Sequence, residues 1–298
     1  MITILILILA LTPASLFCAA VTWSRRHDRQ IVWPLVVATL WGAIVATSLA
    51  LVVGRLVEMR FIATTSIGGT ALDTVIVAPM VEEGVKACVL IFLLMATRLE
   101  TSLEGFSLGA AVGLGFAATE NFFAFVAAYR DLGLAEWITS IALRTLLTTV
   151  MHATATAAAG VVMSVFAAGL HFDRWILGPA LGYFCATAIH GAFNGGLESA
   201  EVLGELSILF VAVFIGFLIL WLLAWSRRHE DATYREQLFD DAFIYGRMTL
   251  DEANHLVVSR DNKAKRLALL RLRAERKPGR VARQSEIDAL REALSHEP

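Results

Sequence analysis

Three charged residues, Glu82, Glu83 and Lys86, stand inside "DTVIVAPMVEEGVKACVLIFLL", a stretch otherwise apolar enough to lie in a membrane. On a helix Glu82 and Lys86 are neighbours at i,i+4, and Glu83 meets Lys86 at i,i+3. Two adjacent carboxylates in a low dielectric resist being charged together, and a carboxylate beside a cation there suits a general base. The plainer alternative is a charge-compensated structural trio. Pro79, just before the pair, can loosen the helix and free backbone groups for polar contacts.

Three further apolar stretches each carry groups of the same kind. "EGFSLGAAVGLGFAATENFFAF" holds Glu120 and Asn121, "TTVMHATATAAAG" holds His152, and "ATAIHGAFNGG" holds His190 and Asn194 on one face at i+4. His152 and His190 are the only two of the seven histidines inside such stretches. A single histidine in a helix is more often a hydrogen-bonded packing residue. Two of them beside three glutamates shift the balance, because ionisable residues within a span are costly and mark functional sites by default.

Positioning these groups takes membrane helices. The chain has 298 residues, 57% hydrophobic and 17% charged, and its mean hydropathy is +0.66. Soluble domains average about 45–50% apolar and about 25% charged. Residues 1–225 hold 10 Lys/Arg and 14 Asp/Glu, and residues 226–298 hold 15 and 13. This predicts a transmembrane domain over 1–225 and a cytosolic, basic helical tail over 226–298. A span takes roughly 20 apolar residues. Seven stretches qualify: about 2–22, 31–53, 72–96, 104–128, 138–169, 175–197 and 204–225. The fifth is too long for one straight span, so its start is expected in the interface or tilted. The fold expected is all-α and polytopic, with about seven transmembrane helices.

Lys/Arg bias sets the orientation. Arg25, Arg26, Arg29, Arg98, Arg174, Arg227 and Arg228 fall on one side and Arg55, Arg60 and Arg130 on the other. The N-terminus is therefore expected outside and the C-terminus in the cytoplasm. No basic residue precedes Arg25, so the first helix reads as retained rather than as a signal peptide. In the tail, Thr249 and Glu252 have capping-box spacing, "KPGR" at 277–280 precedes a last short helix, and residues 260–283 hold ten Lys/Arg. That segment suits either an anionic lipid surface or a solvated helix face. Cys18, Cys88 and Cys185 lie in apolar segments without CxxC spacing, which predicts neither disulfides nor a thiolate site.

Gly105, Gly109 and Gly113 recur at i+4, the spacing that lets membrane helices approach closely, and Phe116 and Glu120 continue that face. Glu120 is therefore expected against another helix. At 1.5 Å rise per residue, Glu82, Glu120, His152 and His190 all lie roughly 10–20 Å from the outer ends of their spans. Four helices are thus expected to build one polar site nearer the outer leaflet. Glu82 or Glu83, Glu120 and His190 should converge within about 8 Å.

At these residues the chain resembles the PrsW-type intramembrane proteases, within the superfamily of CAAX-processing and bacteriocin-processing membrane proteases. The pattern is EExxK, FxxxE, and histidines on later spans, the last in an HxxxN-like setting. Here it stands as Glu82-Glu83-Gly84-Val85-Lys86, Phe116-Ala117-Ala118-Thr119-Glu120, His152, and His190-Gly191-Ala192-Phe193-Asn194. The resemblance covers about 72–197. It implies hydrolysis of a peptide bond in or near a bacterial plasma membrane. The substrate would be a single-span membrane protein such as an anti-sigma factor, and no nucleic-acid partner is expected. CAAX endopeptidases carry EExxxR and FxxxH, and Lys86 and Glu120 depart from that version, which argues against prenylated substrates.

By the same resemblance, Glu82 or Glu83 activates water, and His190 and Asn194 orient it or stabilise the oxyanion. Glu120, His152 and Lys86 complete the site. The family is often classed as metalloproteases, which makes Glu83, Glu120, His152 and His190 candidate zinc ligands. HExxH is absent, so spacing does not decide the metal, and Lys86 would disfavour a cation. Two rival readings remain. A scaffold like the Aph subunit of γ-secretase would lack the glutamate pair, and a transporter would favour two similar halves, of which there is no sign.

Overall fold

The computed structural model describes residues 2–24, 31–57, 59, 72–96, 101–167, 172–243, 249–258 and 268. Arg25, Arg26, Arg29, Arg60, Arg98, the basic run 260–283 and the "KPGR" break lie outside them. Among the described residues every regular element is helical. The helices are α1 (Ile2–Ser24), α2 (Val32–Val57), α3 (Ala78–Ala96), α4 (Ser102–Asp131), α5 (Leu134–Phe166), α6 (Asp173–Glu198), α7 (Glu205–Phe243) and α8 (Leu250–Val258), with one turn of helix at Ala200–Leu203. The chain divides into two compact units, Met1–Arg227 and Arg228–Pro298.

Six helices among the described residues are long and apolar enough to cross a membrane: α1, α2, α4, α5, α6 and α7. The protein is an integral membrane protein, and α1, α2 and α7 turn long apolar rows outward, such as Ile4, Leu5, Ile8 and Leu16 on α1. A contiguous apolar surface of that extent suits a bilayer and not water. The helix α3 falls outside the six, and it is the one that carries Glu82, Glu83 and Lys86.

The centre of the first unit is the packing of α4 on α5, with α6 also against α5 and α1 and α2 against α4. The glycine stripe of α4 makes this possible. A Cβ at Gly105 would overlap the Gly160 carbonyl, at Gly109 the Thr156 carbonyl, and at Gly113 the His152 carbonyl. Both partners step by four residues, so small ridges of one helix lie in the grooves of the other. The expected face is the observed one, and it seats His152 against Gly113. On the opposite side, Gly115 admits the Thr39 carbonyl of α2. Leu90, Leu93, Leu108, Val112, Met151 and Met163 fill the core between these helices.

Several helices contain π-turns, which concentrate at functional sites. Asp73–Val77 leads into α3, Arg144–Thr148 interrupts α5, and Asp173–Leu177 opens α6. The first lies just before Pro79, where the helix was expected to loosen. In the i→i+5 register set by the bond from Ala78 N–H to the Asp73 carbonyl, the partner of the Thr74 carbonyl would be residue 79. That residue is a proline without an N–H, and Asn194 Nδ2 donates to the Thr74 carbonyl instead, at 2.9 Å.

The fifth span starts earlier than expected, at Leu134, because Gly133 with φ 104° reverses the chain directly after α4. A π-turn at Arg144–Thr148 interrupts it. The three cysteines are free thiols. In the second unit the capping box is formed, with Thr249 N donating to Glu252 Oε2 at 2.9 Å and Glu252 N to Thr249 Oγ1 at 3.2 Å. Tyr234 and Leu238 make a small core there with Leu256 and Ala268.

Gly109→Leu is expected to lower the unfolding free energy of the detergent-solubilised protein by about 3 kcal/mol or more, since an overpacked core that meets backbone cannot relax. Gly216→Leu is the control, because a Cβ there meets nothing within 4 Å, and it should leave stability within about 0.5 kcal/mol.

Candidate functional site

The polar residues of α3, α4, α5 and α6 meet in the interior of this bundle. Lys86 is completely buried and Glu83 is 1% exposed. Lys86 Nζ donates to Glu83 Oε1 at 2.7 Å and to His152 Nδ1 at 2.9 Å, and lies 3.5 Å from Glu82 Oε2. Its ammonium also sits 3.8 Å from the centroid of the Phe116 ring, a cation–π contact. Glu83 is fully engaged. His190 Nδ1 donates to its Oε1 at 3.0 Å and Thr156 Oγ1 to its Oε2 at 3.2 Å.

A second carboxylate stands behind the other histidine. His152 Nε2 donates to Glu120 Oε2 at 2.7 Å, and Arg144 Nη2 lies 2.7 Å from Glu120 Oε1 as an ion pair. Arg144 Nε donates to Asn121 Oδ1 at 3.0 Å, and Asn121 Nδ2 donates to Thr149 Oγ1 at 2.8 Å. These bonds assign the tautomers: His152 carries its proton on Nε2 and His190 on Nδ1. The His152 Nδ1 lone pair is therefore the one facing Lys86, and the lone pair of His190 is on Nε2. The two rings meet edge to face, with centroids 4.9 Å apart.

Glu82 differs from its neighbour. It is partly accessible, lies 4.0 Å from His190 Nδ1, and its buried Oε2 has no hydrogen-bond partner. Side chains at i and i+1 point about 100° apart around a helix, so Glu83 faces α5 and α6 while Glu82 looks toward the open side.

All seven residues singled out in the sequence lie in or beside this cluster. Asn194 is the outermost, one turn beyond His190 and tied to the Thr74 carbonyl. The expected metal ligands are rearranged. Glu83 and Glu120 hold the proton-bearing nitrogens of His190 and His152, and it is Glu82, His152 and His190 whose ligand atoms lie within 4.8 Å of one another. A ligating histidine whose other nitrogen is held by a carboxylate is the usual outer shell of a metal site, and one carboxylate with two imidazoles is a zinc donor set. With Glu82 Oε2, buried without a hydrogen bond, the residues fit a zinc-type ion in chemical type. Arg144 was not legible as part of the site from its sequence. Its signal is a basic residue inside an apolar stretch, one helical face from His152.

Beside the cluster, Ala192, Phe193 and Gly196 of α6 form one wall of an open apolar cavity of about 640 Å³, and Phe210, Val211 and Phe214 of α7 form another.

With this geometry in place, comparison with known proteins gives one match. A family described as PrsW family intramembrane metalloprotease covers residues 30–224, beyond the 72–197 that carry the motifs. No curated protein and no solved structure matches the chain. Four helices, α3, α4, α5 and α6, bring together the residues of all four motifs, and the match runs through every one of those helices: the chain belongs to the PrsW family of intramembrane metalloproteases and is an intramembrane protease.

Proposed function

We propose that the protein is an endopeptidase that hydrolyses a peptide bond of a single-span membrane protein near the outer leaflet, with Glu82 as the base that activates water. The observation that carries this reading is the Glu82 Oε2 atom, buried without a hydrogen bond beside two imidazoles. Glu83, whose oxygens are taken by Lys86, His190 and Thr156, is the positioning carboxylate.

In the proposed reaction a water between Glu82 and His190 gives its proton to Glu82 and attacks the scissile carbonyl carbon. His190, whose Nδ1 proton is held by Glu83, orients that water by accepting from it at Nε2. The second amide N–H of Asn194 stabilises the oxyanion, and Glu82 then passes the proton to the departing amine. Glu83 and Glu120 fix the tautomers of His190 and His152. Where a zinc-type ion is bound, Glu82, His152 and His190 would hold it, Glu82 then serving as a ligand instead of the free base, and the ion would polarise the carbonyl and ease ionisation of the water. The apolar cavity between α6 and α7 borders the turn of Ala192 and Phe193. It suits an apolar substrate segment arriving from the lipid.

The reading also takes residues 72–96 as a seventh span, because their charged side chains are compensated within the bundle. It places the N-terminus outside and the tail beyond residue 225 in the cytoplasm, on the Lys/Arg distribution. A site toward the outer leaflet suits the first cut in an anti-sigma factor in a bacterial plasma membrane.

Glu82→Gln and His190→Ala should each lower the cleavage rate of a co-expressed single-span substrate by about 10²–10⁴-fold, with protein level near normal. Cleavage at the wild-type rate by both would overturn the proposal, and loss of both proteins from the membrane would favour a scaffold. Arg144→Met should lower kcat by about 10–100-fold with KM little changed, because it holds Glu120 without touching substrate. Arg144→Lys should recover part of that loss, and an equal loss in both would argue against positioning through Glu120.

A further inference from the structure

Lys86 has the surroundings of a bound metal ion. Its ammonium meets Glu83 Oε1 at 2.7 Å, the His152 Nδ1 lone pair at 2.9 Å and Glu82 Oε2 at 3.5 Å, and the Phe116 ring closes the remaining side. Two carboxylates and an imidazole are the donors that zinc selects. Two of the three residues able to hold an ion, Glu82 and His152, are among those around Lys86. His152 offers no other lone pair, since its Nε2 proton is committed to Glu120 at 2.7 Å. With Lys86 in place, an ion would find Glu82 and His190 alone, one short of the three protein ligands of a catalytic zinc site.

We infer that Lys86 is the resident cation of this site, and that a divalent ion is bound there only by displacing the Lys86 ammonium from His152 Nδ1 and Glu82. The inference rests on the proposed site but not on its turnover. The lysine is a tethered positive charge that holds Glu83 and His152 in place, and the same charge sets how much metal the protein retains. Ammonium and ion cannot share these donors, because like charges so close repel strongly where water does not screen them.

Zinc binding to the purified, detergent-solubilised full chain, measured by titration and by metal analysis after dialysis, tests this without any substrate. Lys86→Met should bind zinc at least about a hundredfold more tightly than wild type, a lower bound for removing a unit charge within about 4 Å of a divalent ion. Adding Glu82→Ala to Lys86→Met should abolish the gain. Lys86→Gln, which keeps a hydrogen bond to Glu83 without the charge, serves if Lys86→Met does not fold, and should move in the same direction. Equal zinc affinity in wild type and the neutral variants would overturn the inference, as would a gain insensitive to Glu82→Ala. Loss of proteolysis in Glu82→Gln bears on the proposed function, whereas these affinities bear on the cation alone.

Discussion

A buried charge has to be neutralised where it stands, and the Lys86–Glu83 pair meets that constraint for the whole bundle. Both side chains are removed from solvent, and in a low dielectric either one alone would cost several kcal/mol. Their geometry is closed by bonds from other helices. Thr156 and His190 complete Glu83, and His152 and the Phe116 ring complete Lys86. The pair therefore ties α3 to α4, α5 and α6, and the other polar groups of the candidate site are arranged around it. A second pair, Glu120 with Arg144, does the same for His152 from the other side.

Backbone packing sets the distances that these charges exploit. The stripe Gly105, Gly109 and Gly113 lets α4 approach α5 until side chains of one meet carbonyls of the other. Without that approach Glu120 could not reach His152 Nε2. The π-turns act on a finer scale. At Arg144–Thr148 the Arg144 carbonyl accepts both from Thr149 N–H in the i→i+5 register and from Thr149 Oγ1, at 3.0 Å, while the Arg144 side chain pairs with Glu120. At Asp73–Val77 it leaves the Thr74 carbonyl to Asn194. Two π-turns thus serve two groups at opposite ends of the site.

Much of this was legible in the sequence. Charged and imidazole residues inside apolar stretches announced the four site helices, the i+4 glycines announced the tight interface, and Pro79 announced a loosened helix. Which glutamate faces the opening was not legible, because Glu82 and Glu83 are adjacent and only the rotation of α3 against α5 decides between them. The expected metal ligands were Glu83, Glu120, His152 and His190, whereas the group whose ligand atoms lie within 4.8 Å of one another is Glu82, His152 and His190. Arg144 escaped because its partner Glu120 lies on another helix, and a π-turn shifts the face on which it emerges. The residues Asp73 to Pro79 and Asp173 to Pro179 share a spacing, an aspartate six residues before a proline, that marks both π-turns flanking a proline.

The dependence of the bundle on its buried pair is most directly measured by a double-mutant cycle between Glu83 and Lys86, read as unfolding free energy in detergent. Glu83→Gln and Lys86→Met should each cost about 3–5 kcal/mol, because each strands one charge. The double variant should cost less than the sum, with a coupling of about 2 kcal/mol or more. Additive losses would contradict the account, since the two side chains would then be stabilised independently and the site would need another anchor.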